Sequence, residues 1–377
     1  MKLDAEWLRR AETVAVMRAL GEAFFVGGCV RNTLLGVPVS DVDIATPLLP
    51  EEVIARVEAA GLKAVPTGLS HGTVTVVSGG VAHEVTTFRR DIETDGRHAV
   101  VAFTQDVAED AARRDFTMNA LYAAEDGAVI DPLSGLADLQ ARRVRFIGDA
   151  AARIGEDALR MLRFYRFFAQ YGVGEADAEA RAAISARVGD LAGLSAERVT
   201  QEMRKLLGAG DPLAAVVAMA EDGVLAKVLP GFDVALLPWV VRAGGAQDWF
   251  VRALALGGER SRLRLSGVEE RAFAQAETAW ALGAGVEERA YRFGAKAALR
   301  VATLEAGILR RGVGADVAAL AEVGASRVLP VRAADLCPPL EPGPALGAAL
   351  KAAEEAWVAS GFALEREALV AVALAEG

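Results

Sequence analysis

Cysteine is almost absent from this chain of 377 residues: Cys29 and Cys337 are too few and too far apart to frame a disulfide scaffold. A reducing cytoplasm is therefore the expected compartment, with no disulfide partner. No uninterrupted apolar run approaches the about 20 residues that cross a bilayer, so a soluble, intracellular protein without a membrane partner is expected. The N-terminal stretch MKLDAEWLRRAETVAVMRAL carries Asp4, Glu6, Arg9, Arg10 and Glu12. These charges break up the apolar centre of a signal peptide and read instead as an amphipathic helix. Positive charge is also short: 41 Lys and Arg face 51 Asp and Glu, for a formal charge of −10. That balance argues against indiscriminate nucleic-acid coating, which depends on phosphate neutralisation by cations. Histidine occurs only at 71, 83 and 98, so the C-terminal half offers no histidine for a metal site.

Apolar material, by contrast, is ample for cores, and the length suggests two or three domains at roughly 150 residues each. The organising stretch is GGCVRNTLLGVPVSDVDIAT, Gly27 to Thr46. Phe24, Phe25 and Val26 form a short apolar run that stops at Gly27 and Gly28, and Val30 to Leu35 then reads as one or two helical turns. Glycines let backbone N–H groups approach phosphate oxygens, a helix N-terminus favours negative charge, and Arg31 adds a fixed cation. After Gly36-Val37-Pro38 the chain extends again, and residues two apart in a strand share a side, so Asp41 and Asp43 are expected to face together. Two adjacent carboxylates repel unless a divalent cation neutralises them. Mg²⁺ held by one or two carboxylates together with substrate phosphates is the usual arrangement at phosphoryl-transfer sites.

Further along, Pro50 to Ala60 reads as a helix stopped by Gly61, and Leu62 to Val65 as a short strand. Thr73 to Val77 and Val81 to Phe88 flank Ser78-Gly79-Gly80 as a hairpin, preceded by His71. RRDIETDGRHAVVAF, Arg89 to Phe103, has no sustained period and reads as a mobile surface loop running into a strand at Ala99 to Phe103. Asp106 can cap a helix, Asp131-Pro132 marks a turn, and from there the sequence is Ala/Leu/Arg-rich with helical spacing. In IGEDALRMLRFYRFFAQYG, Asp157, Arg160, Arg163 and Arg166 recur at intervals of three, placing neighbours on one helix face about 5–6 Å apart at Cβ. The alternative is a solvated i,i+3 salt bridge. In LSAERVTQEMRKLL, Ser195 is a candidate N-cap and Arg198 is positioned to pair with Glu202 at i,i+4.

Local charge departs from the global balance. From Arg142 to Arg166 seven arginines (142, 143, 145, 153, 160, 163 and 166) face Asp149, Glu156 and Asp157. Arg252, Arg260, Arg262 and Arg264 form a second group opposed by Glu259, with solvated helix faces as the equal alternative there. Arginine stripes confined to an acidic chain suit one specific RNA partner.

The ordered combination GGxVR…LLG…DxDIAT resembles the polymerase-β-type nucleotidyltransferase superfamily, in its branch of class II tRNA nucleotidyltransferases (CCA-adding enzymes) and bacterial poly(A) polymerases. Arg113-Arg114-Asp115 with FTMNALY, and EDALRMLRFYRF, are similar to two further motifs of that family, and the likeness spans residues 20–210. Where the family more often has Asp after the arginine, this chain has Asn32. The resemblance implies an α+β fold: a small mixed-sheet nucleotidyltransferase head at 1–138 with its N-terminal helix, a helical neck for base recognition at 139–211, and an all-α body and tail for tRNA binding at 212–377.

By the same resemblance Asp41 and Asp43 are metal-binding catalytic residues. Glu84 is the candidate third carboxylate, an exposed strand glutamate being the alternative. Gly27, Gly28, Arg31, Arg114, Asp115, Asp157, Arg160, Arg163 and Arg166 would bind the nucleotide, with arginine pairing phosphate oxygens and Asp115 accepting from a ribose hydroxyl. The Arg89 to Phe103 segment corresponds to a flexible loop coupled to the switch from adding C to adding A. The implied activity is template-independent addition of CCA to tRNA from CTP and ATP with Mg²⁺. A poly(A) polymerase shares the head motifs, and a silent RNA-binding protein would keep the arginines without needing Asp41 and Asp43.

Overall fold

The computed structural model describes residues 1–95 and 98–376 of the chain, which divides into two compact units: Met1–Phe232 with Gly258–Arg264, and Asp233–Gly257 with Leu265–Gly377. Among the described residues nine strands, β1 (Phe24–Val26), β2 (Asp43–Thr46), β3 (Lys63–Gly68), β4 (Thr73–Ser78), β5 (Val81–Thr87), β6 (Arg89–Asp95), β7 (His98–Phe103), β8 (Tyr122–Ala123) and β9 (Val129–Ile130), all lie in the first unit. Seven of them form one mixed sheet in the order β3-β4-β5-β2-β1-β8-β9. The pair that matters most is parallel: β2 runs beside β5 with Asp43 opposite Glu84. The Ser78-Gly79-Gly80 hairpin forms as expected, with β4 and β5 antiparallel and φ of +55° and +84° at the two glycines.

The helices that shape the head are α1 (Glu6–Arg9), α2 (Ala11–Leu20), α3 (Gly28–Leu35) and α4 (Pro50–Ala59). Helices α2 and α4 pack on β4 and β5, burying Val16, Met17, Leu20, Val53 and Val57 near Val74, Val76 and Val85. Along β4 burial alternates with period two, as one covered face requires. A second apolar cluster joins Val26, Ala45, Phe88, Ala111, Ala120, Tyr122 and Ile147. Beyond the sheet come α5 (Val107–Ala112), α6 (Gly135–Gln140), α7 (Ala150–Glu156), α8 (Leu159–Tyr171), α9 (Ala178–Arg187) and α10 (Ala196–Leu207). Phe116 packs at a tilt against Phe146 and Phe167 at 5.0 Å each, and Phe146 stacks on Phe164 at 5.8 Å, so aromatic packing fixes α8 against the segment that follows α5.

Two expectations are corrected here. Arg89 to Phe103 is a two-stranded antiparallel ladder of β6 and β7 with a register shift between Asp91 and Glu93, and the tip at 96–97 lies outside the described residues. The strand expected at Ala99 to Phe103 is β7, and the correction falls on the segment before it, which is the strand β6 and not a loop. Asp41 does not sit in a strand with Asp43 either, because β2 begins at Asp43 and Asp41 precedes it as an exposed residue.

The second unit is helical. Tyr291, Trp357 and Phe362 make edge-on contacts at 5.0 to 5.6 Å in its C-terminal core. The buried Arg289 meets Glu305, and the buried Arg300 meets Asp248 at 2.8 Å. Among the described residues no helix is long and apolar enough to cross a membrane.

Candidate active site

At the end of β1, Gly27 takes φ +69°, donates its N–H to Leu121 O at 3.0 Å and starts α3, whose N-terminus no side chain caps. A Cβ at Gly27 would add left-handed strain and stand 3.5 Å from an Arg114 Nη, so glycine is dictated by the turn. The uncapped amides of α3 thus remain available to an anion. They open onto a cleft of about 420 Å³ lined by Gly27, Gly28, Arg31, Asp43, Arg114 and Asp115 from the head and by Asp157, Arg160 and Arg163 from the neck. Nine of the residues expected from sequence are therefore brought together.

Asp41, Glu84 and Arg166 are not among the cleft-lining residues. Asp41 accepts a hydrogen bond from Ser40 Oγ at 2.7 Å, and Glu84 stands on the sheet beside Asp43. Arg166 is buried and donates through Nε to Glu202 at 2.5 Å.

Asp43 carries the clearest electrostatic signature. Burial, then the neighbouring Glu84 and Asp41 against the opposing pull of Arg114, push its carboxyl up from 3.8 to about 6. Burial, with Asp43 next, likewise pushes the Cys29 thiol up to about 12, so that cysteine is inert packing beneath the turn. Among the described residues no group of three or more His, Cys, Asp or Glu gathers around one point. The donor set is thus open, a partly buried carboxylate whose repulsion from two others is incompletely offset. That suits a hard divalent cation completing its sphere with phosphate oxygens and water, and nucleotidyltransferases of this kind use a divalent metal.

The cationic side is built on Asp110, which sequence reading passed over. It is 1 % exposed and accepts from Arg113 Nε at 2.8 Å, Arg114 Nη2 at 3.0 Å and Tyr122 Oη at 2.6 Å. Burial opposes its charge, but Arg114 and Arg113 outweigh burial and hold the carboxyl below the usual range. Its place three and four residues before the arginine pair on α5 was the available signal. Asp115 is likewise kept ionised against burial by Arg163, Asn119 and the Phe116 amide, accepting from Arg163 Nε at 2.7 Å and from Asn119 Nδ2 at 2.9 Å. Arg31 donates to Asn119 Oδ1, to Asn32 Oδ1 at 2.9 Å and to Tyr171 Oη at 2.8 Å, its guanidinium 4.2 Å from the Tyr171 ring centroid.

The neck corrects three more expectations. Asp157 is not on α8; it links α7 to α8 and accepts from the Leu159 amide at 3.0 Å. Arg198 does not pair with Glu202. It crosses to Asp157 at 2.5 Å, while Glu202 takes Arg166, because α8 and α10 pack face to face and tertiary partners displace the local i,i+4 pair. Nor is the arginine run a free cationic stripe: five of its seven members, Arg145, Arg153, Arg160, Arg163 and Arg166, are ion-paired, with Asp138, Glu156, Glu156, Asp115 and Glu202 respectively. In the second group Arg252 is buried, and Arg262 donates to the Leu191 and Leu194 carbonyls.

A glycine turn into an uncapped helix, a carboxylate strand pair and anchored guanidinia around one cleft define a nucleotidyltransferase site. Residues 23–145 match the Poly A polymerase head domain, and residues 176–236 match the probable RNA and SrmB-binding site of polymerase A. The CCA-adding enzyme of Geobacillus thermodenitrificans (strain NG80-2) is 43% identical over 251 residues, 64% of this chain and 61% of its own length. A mitochondrial CCA tRNA nucleotidyltransferase 1 from Danio rerio is 42% identical over 189 residues, 49% of this chain and 44% of its own. The solved CCA-adding enzyme of Bacillus stearothermophilus in complex with CTP is 32% identical with a TM-score of 0.77, over 96% of both chains. This chain belongs to the family of CCA-adding enzymes. It spans about 61% of the length of the first of these curated relatives.

Proposed function

We propose that the chain adds C, C and A to the 3′ end of tRNA without a nucleic-acid template, taking CTP and ATP and releasing pyrophosphate. The observation that carries this reading is the single cleft in which the Gly27 turn, Asp43, Arg114, Asp157, Arg160 and Arg163 converge from segments far apart in sequence. A related enzyme solved with CTP supports it. Asp41 and Asp43, with Glu84 beside them, are the residues that would hold Mg²⁺, whose chemistry is to lower the pKa of the attacking hydroxyl and neutralise the departing pyrophosphate. The α3 amides and Arg114, fixed by Asp110 and Tyr122, hold the triphosphate. Arg31 sets the positive potential of the turn, and Asp115 orients Arg163 toward the cleft. Arg166, through its pair with Glu202, secures the helix that carries Arg160 and Arg163.

Base choice falls to Asp157 and Arg160. Cytosine and adenine each present an amino donor beside a ring-nitrogen acceptor, which a carboxylate and a guanidinium match, whereas U and G present the reverse pattern and leave both charges mismatched. Arg198 and Glu156 hold these two side chains at the cleft, so the readers are pre-positioned. Residues 212–377 would bind the tRNA, and a reducing cytoplasm suits the two free cysteines.

The test is to incubate the protein with tRNA ending before CCA and sequence the 3′ ends formed with CTP, ATP or both. Ends reading CCA only when both are present are expected. Runs of A from ATP alone would point to a poly(A) polymerase, and no extension would refute the assignment.

A further inference from the structure

In the second unit, the helix Ala295–Ile308 ends in a way its sequence does not favour. The Arg310 N–H bonds to Gly307 O at 3.0 Å and the Arg311 N–H to Ala306 O at 2.9 Å, the paired bonds of a Schellman cap. The residue at the left-handed position of that cap is Arg310, with φ +51°. Glycine is the low-cost occupant there, so a long side chain is retained against a backbone preference. Where it goes suggests why: its guanidinium lies 4.7 Å from the ring centroid of Trp239, on the helix Leu237–Ala243, and Arg242 lies 5.6 Å from the same ring. The loop is anchored to that helix by Val313 N–H bonding to Ala243 O at 2.8 Å.

Arg242, Arg310 and Arg311 are exposed, and among the described residues none is ion-paired. Of the two acids nearest Arg310 and Arg311 in sequence, Glu305 and Asp316, neither is ion-paired with them among the described residues, and Glu305 spends both oxygens on Arg289. Ile308 and Leu309, 50% and 59% exposed, add apolar surface at the end of the same helix, just before Arg310. Many arginines of this acidic protein meet carboxylates; here Arg242 and Arg310 flank one partly buried tryptophan, with Arg311 next in the chain.

We infer that the Trp239, Arg242, Arg310 and Arg311 patch is a docking surface for the RNA backbone, with the guanidinia on phosphates and the Trp239 ring with Ile308 and Leu309 against the riboses. Charge complementarity selects this occupant: a polyanion satisfies three unpaired guanidinia at once, and stacked arginines lose little freedom on doing so. The inference rests on the reading that tRNA is the substrate.

Arg310→Gly provides the decisive test in the full-length protein, because it relieves the cap while deleting the contact. Expected are an unfolding midpoint equal to or above that of the wild type and weaker binding of tRNA lacking CCA. The slope of log Kd against log salt concentration should shrink by about 1. Adding Arg242→Gln and Arg311→Gln should shrink it by about 2 more. CTP binding without tRNA should not change. Wild-type tRNA affinity and salt slope in Arg310→Gly would overturn the patch while leaving nucleotide addition intact. A lowered unfolding midpoint would overturn it too, by showing that the guanidinium serves the fold. If the wild type neither binds nor extends tRNA, patch and functional reading fall together.

Discussion

Replacing Asp43 by Asn should make the metal-free protein more stable while abolishing its proposed activity. The carboxyl sits at about 6 in the fold against 3.8 in the open chain. At about 1.4 kcal/mol per decade, that gap is about 3 kcal/mol of destabilisation by ionised Asp43, which its partial exposure to solvent lowers to about 1–3 kcal/mol. The sign follows from proton binding. Between pH 3.8 and about 6 the folded state holds the proton more tightly than the unfolded one, so this contribution to stability falls as pH rises through that window and stays lost above it. An asparagine escapes the loss. Urea denaturation in EDTA, read by pulsed amide exchange over the Asp43–Thr46 strand, should show Asp43→Asn ahead of the wild type by about 1–3 kcal/mol at pH 8 and by about half that at pH 5. Mg²⁺ should stabilise the wild type at pH 8 and leave the variant nearly unchanged. An asparagine variant no more stable than the wild type at pH 8, or a gain independent of pH, would refute the account of Asp43 as an incompletely neutralised metal ligand.

Other outcomes follow from the same geometry. Asp41→Ala should stop nucleotide addition with tRNA Kd kept within a few-fold; robust turnover in Mg²⁺ would remove Asp41 from the metal site. Removing the middle of Arg89 to Phe103 should halt products at CC, as sequencing of the ends would show, and continued A addition would contradict it. Exchanging Asp157→Arg and Arg160→Asp alone should inactivate the protein, because the new charges meet Arg198 and Glu156. Adding Arg198→Asp and Glu156→Arg should restore addition with UTP or GTP preferred, and a four-residue variant that still selects CTP and ATP would rule out base reading by this pair. Gly135→Ala would set a Cβ 2.2 Å from Thr117 O, and urea denaturation should register a loss of about 2 kcal/mol or more.

How much of this was legible in the sequence follows the range of the interactions. The Gly27-Gly28 turn, the Gly79-Gly80 hairpin, the Asp106 cap on Ala108 and the Ser195 cap on Arg198 depend on residues within a few positions of each other, and each formed where expected. The expected fold class, a mixed-sheet head followed by helices, is also what the structure has. What sequence could not reveal was which acid each arginine would meet. Arg163 to Asp115 spans 48 residues and Arg198 to Asp157 spans 41, distances closed only once α8 lies against the head and α10. Of the β6–β7 ladder only the second strand was legible, because the first, RRDIETD, is polar at nearly every position and the register bulges.

The inward pairing of the cleft arginines has a kinetic corollary. Arg114, Arg160 and Arg163 already hold carboxylates before any nucleotide arrives, so a ligand's phosphates and base edge exchange one anionic or polar partner for another. Exchange yields a smaller net affinity than the capture of unpaired cations would, and it lowers the barrier to letting go, since each arginine can return to its own acid. A cleft wired this way gives up tightness of holding in favour of turnover, which suits the proposed successive additions, each needing the site emptied and refilled.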